Sequence, residues 1–273
     1  MQGYETHESI RRSSEYIKIS RATAVNNKLV VKLDFSAKIK KYFFKDTLVI
    51  EYDKNIEDVD RSLLGIPPLF VIAPVAWATG ADIYLEILDQ TCLTSLEKIR
   101  QVFKKLYPKF SFSGGIYVEN IINNQFNNRQ KALLFSGGVD STTSYIRHKD
   151  ECPILITLLK GENSYYEYEY YDSVKNSFVN FAKNEGVSIH FIKTDLWDTY
   201  SDILDNQLLA HEFEVLDWWM NVSHGLILLG LSAPLTFEKI GTLYIASSYE
   251  RNCSSLTAEV SHFLTHPTGS HFL

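Results

Sequence analysis

Apolar and polar residues alternate over 16–19 and again over 29–35, on either side of Asn26-Asn27. Alternation with period two sends every second side chain to one face of a strand, and a turn-forming pair between two such runs predicts a β-hairpin. A third strand is expected over 42–52, and the acidic residues 53–60 read as a solvated loop. Gly65-Ile66-Pro67-Pro68 opens a dense apolar segment over 69–78. Two prolines at its front suit a helix start, and Pro74 is expected to kink that helix. Residues 83–88 alternate again as a strand. Leu93, Leu96, Ile99, Val102, Phe103 and Leu106 then recur at helical spacing before Pro108 stops them. A last strand is expected over 112–118. Residues 15–119 therefore read as a small α+β domain with its own core.

Residues 120–130 contain five asparagines and two glutamines, a composition that marks a linker. From Lys131 the pattern changes to strand, helix, strand. Buried strands are expected over 131–135, 153–159, 187–192 and 242–246. Tyr171, Val174, Phe178 and Phe181 mark one face of a helix that ends near Gly186. A long helix is expected over 211–238, apolar all round from 225 to 231 and hence buried. Such alternation predicts an α/β domain over 131–273, a parallel sheet with helices on both faces. Ligands bind such sheets at the carboxyl ends of the strands.

Composition narrows the function classes without naming one. The net charge of −6 argues against a broad nucleic-acid surface. The polar, charged N-terminus does not have the pattern of a signal peptide, and the apolar run 225–231 is far too short to span a bilayer. Cys92, Cys152 and Cys253 are isolated and form neither a disulfide framework nor a Cys-x-x-Cys pair, so a cytoplasmic protein is expected. A homodimer is left open.

The chemistry concentrates between the first buried strand and the helix after it. Ser136-Gly137-Gly138-Val139-Asp140-Ser141-Thr142 follows the apolar run 131–135 directly. Its glycines permit positive φ and a close backbone approach, and Asp140 and Ser141 are candidate helix caps. Strand, glycine turn and helix aim backbone N–H groups and a helix dipole at an anion. The hydroxyls of Ser136, Ser141 and Thr142 add donors, and the stretch reads as a phosphate cradle. It is not a Walker A loop, because no lysine follows the glycines, and it is not Gly-x-Gly-x-x-Gly.

Ser-Gly-Gly-Val-Asp-Ser resembles the signature of the PP-loop, or N-type, ATP pyrophosphatases. That superfamily includes the synthetase domains of GMP and asparagine synthetases, tRNA-thiolating enzymes and 7-cyano-7-deazaguanine synthase. The resemblance covers about residues 131–250. It implies an adenine-nucleotide alpha-hydrolase-like (HUP, Rossmann-like) fold, ATP and Mg²⁺ as cofactors, and cleavage of ATP between its α and β phosphates. A carbonyl or carboxylate oxygen would be adenylated, pyrophosphate released, and AMP displaced by a nitrogen nucleophile. Ser136, Gly137, Gly138, Val139, Asp140, Ser141 and Thr142 would hold the pyrophosphate, with Ser136 and Asp140 closest to the chemistry and Asp140 contacting Mg²⁺. Backbone groups of Thr157, Leu158 and Leu159 would hold the adenine. Ser247, Ser248 and His224 are candidates on the side of a small-molecule, modified-base or peptide substrate.

Two rival readings stay open. A thiolating tRNA enzyme would need a cysteine near the cradle or a basic face, and Cys152 and Cys253 are weakly placed for it. A nucleotide-binding domain without catalysis, assembling with a partner, is the other. The histidines 262, 266 and 271 with Cys253 raise zinc as a reading, but Pro267 and Gly269 break any helix that could present them. Only four strands are countable after residue 130 where the resembling fold has five, which leaves room for a chain truncated after Leu273.

Overall fold

The computed structural model of the chain describes residues 13–127, 129–160, 165–194, 196–204 and 218–246. Strands β1 (Tyr16–Val25) and β2 (Lys28–Phe35) form the expected hairpin, with Asn26 at a φ of 52° in its turn. Asparagine tolerates that left-handed conformation better than most residues. A single helical turn, α1 (Ala37–Lys40), precedes β3 (Thr47–Tyr52). The third strand starts later than its alternation suggests because Tyr42 and Phe43 bury themselves in the bend before it. The Phe43 ring stacks on Phe35 with centroids 4.6 Å apart.

Helices α2 (Arg61–Leu64) and α3 (Ile66–Thr79) follow. Pro67 and Pro68 stand in the first turn of α3, where backbone N–H groups have no partner within the helix, and Gly80 ends it at a φ of 73°. By length and composition residues Arg61–Thr79 could cross a membrane, yet 89% of that window is buried inside the fold. It is a core helix. β4 (Asp82–Asp89) leads into α4 (Gln90–Leu106), whose N-terminus is capped by the Asp89 carboxylate accepting from the amides of Thr91 and Cys92. β5 (Ile116–Ile122) lies beyond the expected 112–118. Phe112 and Gly114 have φ of 39° and 87°, which no extended strand allows, and Phe112 packs among Phe103, Tyr107 and Phe110.

The second half runs β6 (Gln130–Leu134), α5 (Val139–His148), β7 (Ile154–Lys160), α6 (Tyr165–Glu185) and β8 (Ile189–Thr194). A π turn over Trp219–Ser223 leads into α7 (His224–Leu231), and β9 (Ile240–Tyr244) is the last described strand. The helix expected over 211–238 therefore ends at Leu231; its first part, 211–217, lies outside the described residues. Pro234 has no N–H to donate to the Gly230 carbonyl and its ring would crowd that carbonyl, which disfavours a further turn.

The nine strands among the described residues belong to one sheet, ordered β5-β4-β1-β2-β3-β8-β7-β6-β9. β5, β4 and β1 are parallel, as are β8, β7, β6 and β9; antiparallel β2 and β3 join the two blocks. The chain is thus an α/β protein with a mostly parallel sheet. The sheet continues across the boundary expected at 120–130, because β3 pairs with β8 through Ile50↔Thr194, Glu51↔Lys193 and Tyr52↔Ile192. One hydrophobic core runs beneath both halves and includes Leu48, Ile72 and Trp77 from the first and Ala132, Ile192 and Leu226 from the second. The buried Tyr52 hydroxyl donates to the Leu231 carbonyl across that junction at 3.0 Å.

Alternate residues of β6 divide between the two faces. Ala132 and Leu134 join the large core on the α3 and α7 side, whereas Leu133 and Phe135 join Tyr145, Leu155 and Ala182 beneath α5 and α6. The parallel block is covered on both faces, which is why its strands read as continuous apolar runs rather than alternating ones.

Candidate functional site

β6 is the strand on which the rest of this half turns. The chain moves from β6 outward to β7 and β8 on one side, then returns through α7 to place β9 on the other side of β6. Where strand order reverses like this, the loops at the two carboxyl ends diverge and leave a crevice, the usual ligand site of an open α/β sheet. The Ser136-Gly137-Gly138 turn leaves β6 at that point and delivers the chain into α5.

Local geometry explains the two glycines separately. Gly137 has a φ of 73°, and a Cβ built there would lie 2.6 Å from the nearest ring carbon of Phe178 on α6. Both the backbone and the packing require glycine. Gly138 has a φ of −74° and ψ of 170°, and it is the N-cap of α5 with no side chain capping it. The expectation that Asp140 and Ser141 cap this helix is corrected here. The left-handed Gly137 turns the chain early enough for helix to begin at Val139, so both residues fall inside the first turn.

The hydroxyls knit the loop together. Ser136 and Ser141 place their Oγ atoms 3.1 Å apart, and the Ser141 Oγ donates to the Gly138 carbonyl at 3.1 Å. The Ser136 amide donates to the Ser141 Oγ at 3.3 Å, and the Thr142 amide to the Gly138 carbonyl at 3.0 Å. Ser141 is buried, while Ser136, Gly137, Gly138, Val139 and Asp140 are exposed. The amides of Val139, Asp140 and Ser141 lie in the first turn of the helix. They and the helix dipole present partial positive charge at the crevice without a lysine or arginine. The arrangement can hold an anion with several oxygens.

Behind the loop stands an aromatic brace. Phe178 lies edge-on to Phe135 with centroids 5.4 Å apart, and Phe181 stacks on Phe135 at 5.1 Å. The helical face carrying Phe178 and Phe181 was legible in the spacing, but that it supports Gly137 was not. Thr157 is buried, and its hydroxyl donates to the Phe135 carbonyl at 2.7 Å, so its side chain fastens β7 to the last residue before the cradle. Leu158 is half-buried on β7 beside Ile192 of β8, and Leu159 lies next along that strand.

The remaining candidates are placed less closely. His224 opens α7 on the other face of the sheet from α5, its ring 5.1 Å from that of Trp219. Ser247, Ser248, Cys253 and the histidines 262, 266 and 271 lie outside the described residues. Among the described residues no group of histidine, cysteine and carboxylate side chains could hold a metal ion. Cys152 follows the far end of α5, about 15 Å along that ten-residue helix from the cradle. Cys92 is buried, and desolvation together with the nearby Asp89 raises its thiol pKa. Neither thiol is a nucleophile at this turn.

Comparison with known proteins gives a partial match. No family model matches it, and no solved structure matches it. A stretch of 80 residues is 34% identical to the uncharacterized protein MJ1638 of Methanocaldococcus jannaschii, covering 29% of this chain and 29% of that protein.

Proposed function

We propose that the chain binds ATP at the carboxyl edge of β6 and splits it between the α and β phosphates, as a PP-loop ATP pyrophosphatase with an adenine-nucleotide alpha-hydrolase-like fold. The observation that supports this reading most is the coincidence of two features. The Ser-Gly-Gly-Val-Asp-Ser turn stands at the one strand where the order of the parallel block reverses. A chance serine-glycine turn has no reason to fall there.

In this reading Ser136, Gly137, Gly138, Ser141 and Thr142 surround the β and γ phosphates with amides and hydroxyls, and backbone groups around Leu158 meet the adenine. An acceptor oxygen attacks the α phosphorus, and the bond from that phosphorus to the β-bridging oxygen breaks. Pyrophosphate leaves as a unit, and the charge it gains is met by N–H groups already aimed at it. A nitrogen nucleophile then attacks the activated carbon, the carbon–oxygen bond to AMP breaks, and a carbon–nitrogen bond remains. Asp140 is exposed in the first turn of α5, as a carboxylate must be to share Mg²⁺ with phosphate oxygens. The metal would supply Lewis-acid neutralisation of the leaving group. His224, Ser247 and Ser248 are the candidates on the acceptor side.

Pyrophosphate and ATP binding measured by calorimetry in the presence of Mg²⁺ tests the cradle. Ser136→Ala and Asp140→Ala are each expected to weaken binding by tenfold or more. Both residues are exposed, so the unfolding midpoint should barely move. Either variant unfolding while the survivor keeps full ATP affinity would remove the cradle. With α-labelled ATP and candidate acceptors, AMP and pyrophosphate are the expected products. Stoichiometric ADP, lost in Ser136→Ala, would overturn the adenylation chemistry. Tight ATP binding with no turnover across acceptors would favour a nucleotide-binding partner protein instead.

A further inference from the structure

His190, the second residue of β8, is 3% exposed and held between two carboxylates from distant parts of the chain. Its Nδ1 lies 3.0 and 3.2 Å from the carboxylate oxygens of Asp53, just past the end of β3. Its Nε2 lies 2.8 Å from Glu238, in the turn that leads into β9. By alternation His190 shares a face with Ile192, and its register partner on β7 is the apolar Ile156. Glu51 and Lys193 pair on the opposite face of the β3–β8 seam, and the next charges in sequence, Lys54 and Lys239, are exposed.

We propose that Asp53, His190 and Glu238 form a protonation-dependent latch that fastens the first half of the sheet to the second. An imidazolium has two N–H donors and serves both carboxylates. A neutral ring has one, and its other nitrogen then turns a lone pair toward the remaining carboxylate. Burial by itself pushes the imidazole pKa down; the hydrogen bonds and charges of Asp53 and then Glu238 outweigh it, and the pKa is raised above the ordinary histidine value. A raised folded-state pKa fixes the direction. The latch contributes its full stability below the unfolded value near about 6.5, and loses it as pH rises through the folded value. The seam is therefore tighter on the acid side of that midpoint, as long as Asp53 and Glu238 carry their charges, and looser above it.

The test uses the whole chain, with His190 ring titration followed by NMR and urea unfolding followed across pH. In the wild type the ring is expected to titrate above the ordinary histidine value, and stability to fall as pH passes that midpoint. Glu238→Gln removes one charge from a side chain that is 27% exposed and can be hydrated. It should lower the ring midpoint and move the fall in stability to lower pH. His190→Gln should abolish that limb of the profile. If it fails to fold, Glu238→Gln still decides. At a pH between the variant's midpoint and the wild type's, where only the wild-type ring is charged, peptides of β3 and β8 should exchange hydrogen faster in Glu238→Gln than in the wild type, with β1 and β4 unchanged. A ring midpoint at or below the ordinary value, a pH profile that Glu238→Gln leaves in place, or equal loosening throughout the sheet would overturn the latch.

Discussion

Gly137→Ala is expected to destabilise the protein by about 2 to 4 kcal/mol and to cut pyrophosphate affinity by tenfold or more. Two costs act at this residue. An alanine must hold a φ of 73°, in the left-handed region that its Cβ disfavours, and that Cβ must displace Phe178, whose ring carbons stand 2.6 and 2.7 Å away. Phe178 cannot step aside freely, because it is wedged against Phe135. The loop must shift, and the amides of the first turn of α5 shift with it. Gly138→Ala is the internal control. Its φ is −74°, and the nearest atom to a new Cβ is the Ser136 Oγ at 3.5 Å, an ordinary contact. Its stability should change by no more than about 0.5 kcal/mol. Urea unfolding separates the two variants, and calorimetry with pyrophosphate reads the second effect. Equal losses at the two glycines would show that the turn is not held as described.

Much of this architecture was legible locally. The hairpin at Asn26-Asn27, the proline-led α3, the helical spacing of α4 and the apolar strands of the second half are all short-range patterns. Patterns of that kind are imposed by one turn or one buried face. Errors fell where a side chain left a strand-like run to join a packed cluster. Phe112 belongs to a strand-like run but folds back into an aromatic cluster, and β5 moved with it. Tyr42 and Phe43 left the third strand for the same reason. The Asn-rich stretch looked like linker, yet β5 extends into its first three residues because Ile121 and Ile122 pair with Leu88 and Asp89.

The seam between halves had no local sign at all. Nothing in the order of residues announces that β3 should pair with β8, a contact between segments about 140 positions apart. The triad at His190 is hidden for that same reason, since read alone Asp53 is an acid of a solvated loop and Glu238 the last residue of the expected long helix. The cradle behaved oppositely. Its strand, glycines and helix are contiguous, so the turn could be read directly, whereas its position at the strand-order reversal required the sheet. The loop's own hydrogen bonds also escaped, because Ser141 looked like a cap and instead ties the loop to itself.

Gly230→Leu is expected to destabilise the whole chain by about 3 kcal/mol or more, through the contact between α3 and α7. A Cβ at Gly230 would stand 2.7 Å from Phe70 Cβ and 2.9 Å from its Cγ. These atoms are at the root of the Phe70 side chain, not its flexible end, so one helix must move off the other. Alanine at the same position should cost less, because it adds only the Cβ, while leaving glycine within a helix recovers about 1 kcal/mol. A net loss of about 1 to 2 kcal/mol is expected there. The larger question is which part of the protein unfolds. α3 belongs to the first half and α7 to the second, yet both lie on one core, and the sheet continues from one half to the other without a break. Hydrogen exchange in peptides from β1 and β2 should therefore accelerate together with exchange in β6 and β7, and urea unfolding should remain a single transition. If the first half kept its wild-type protection while the second unravelled, the two would be independent domains that merely touch. The shared core would then have been misjudged.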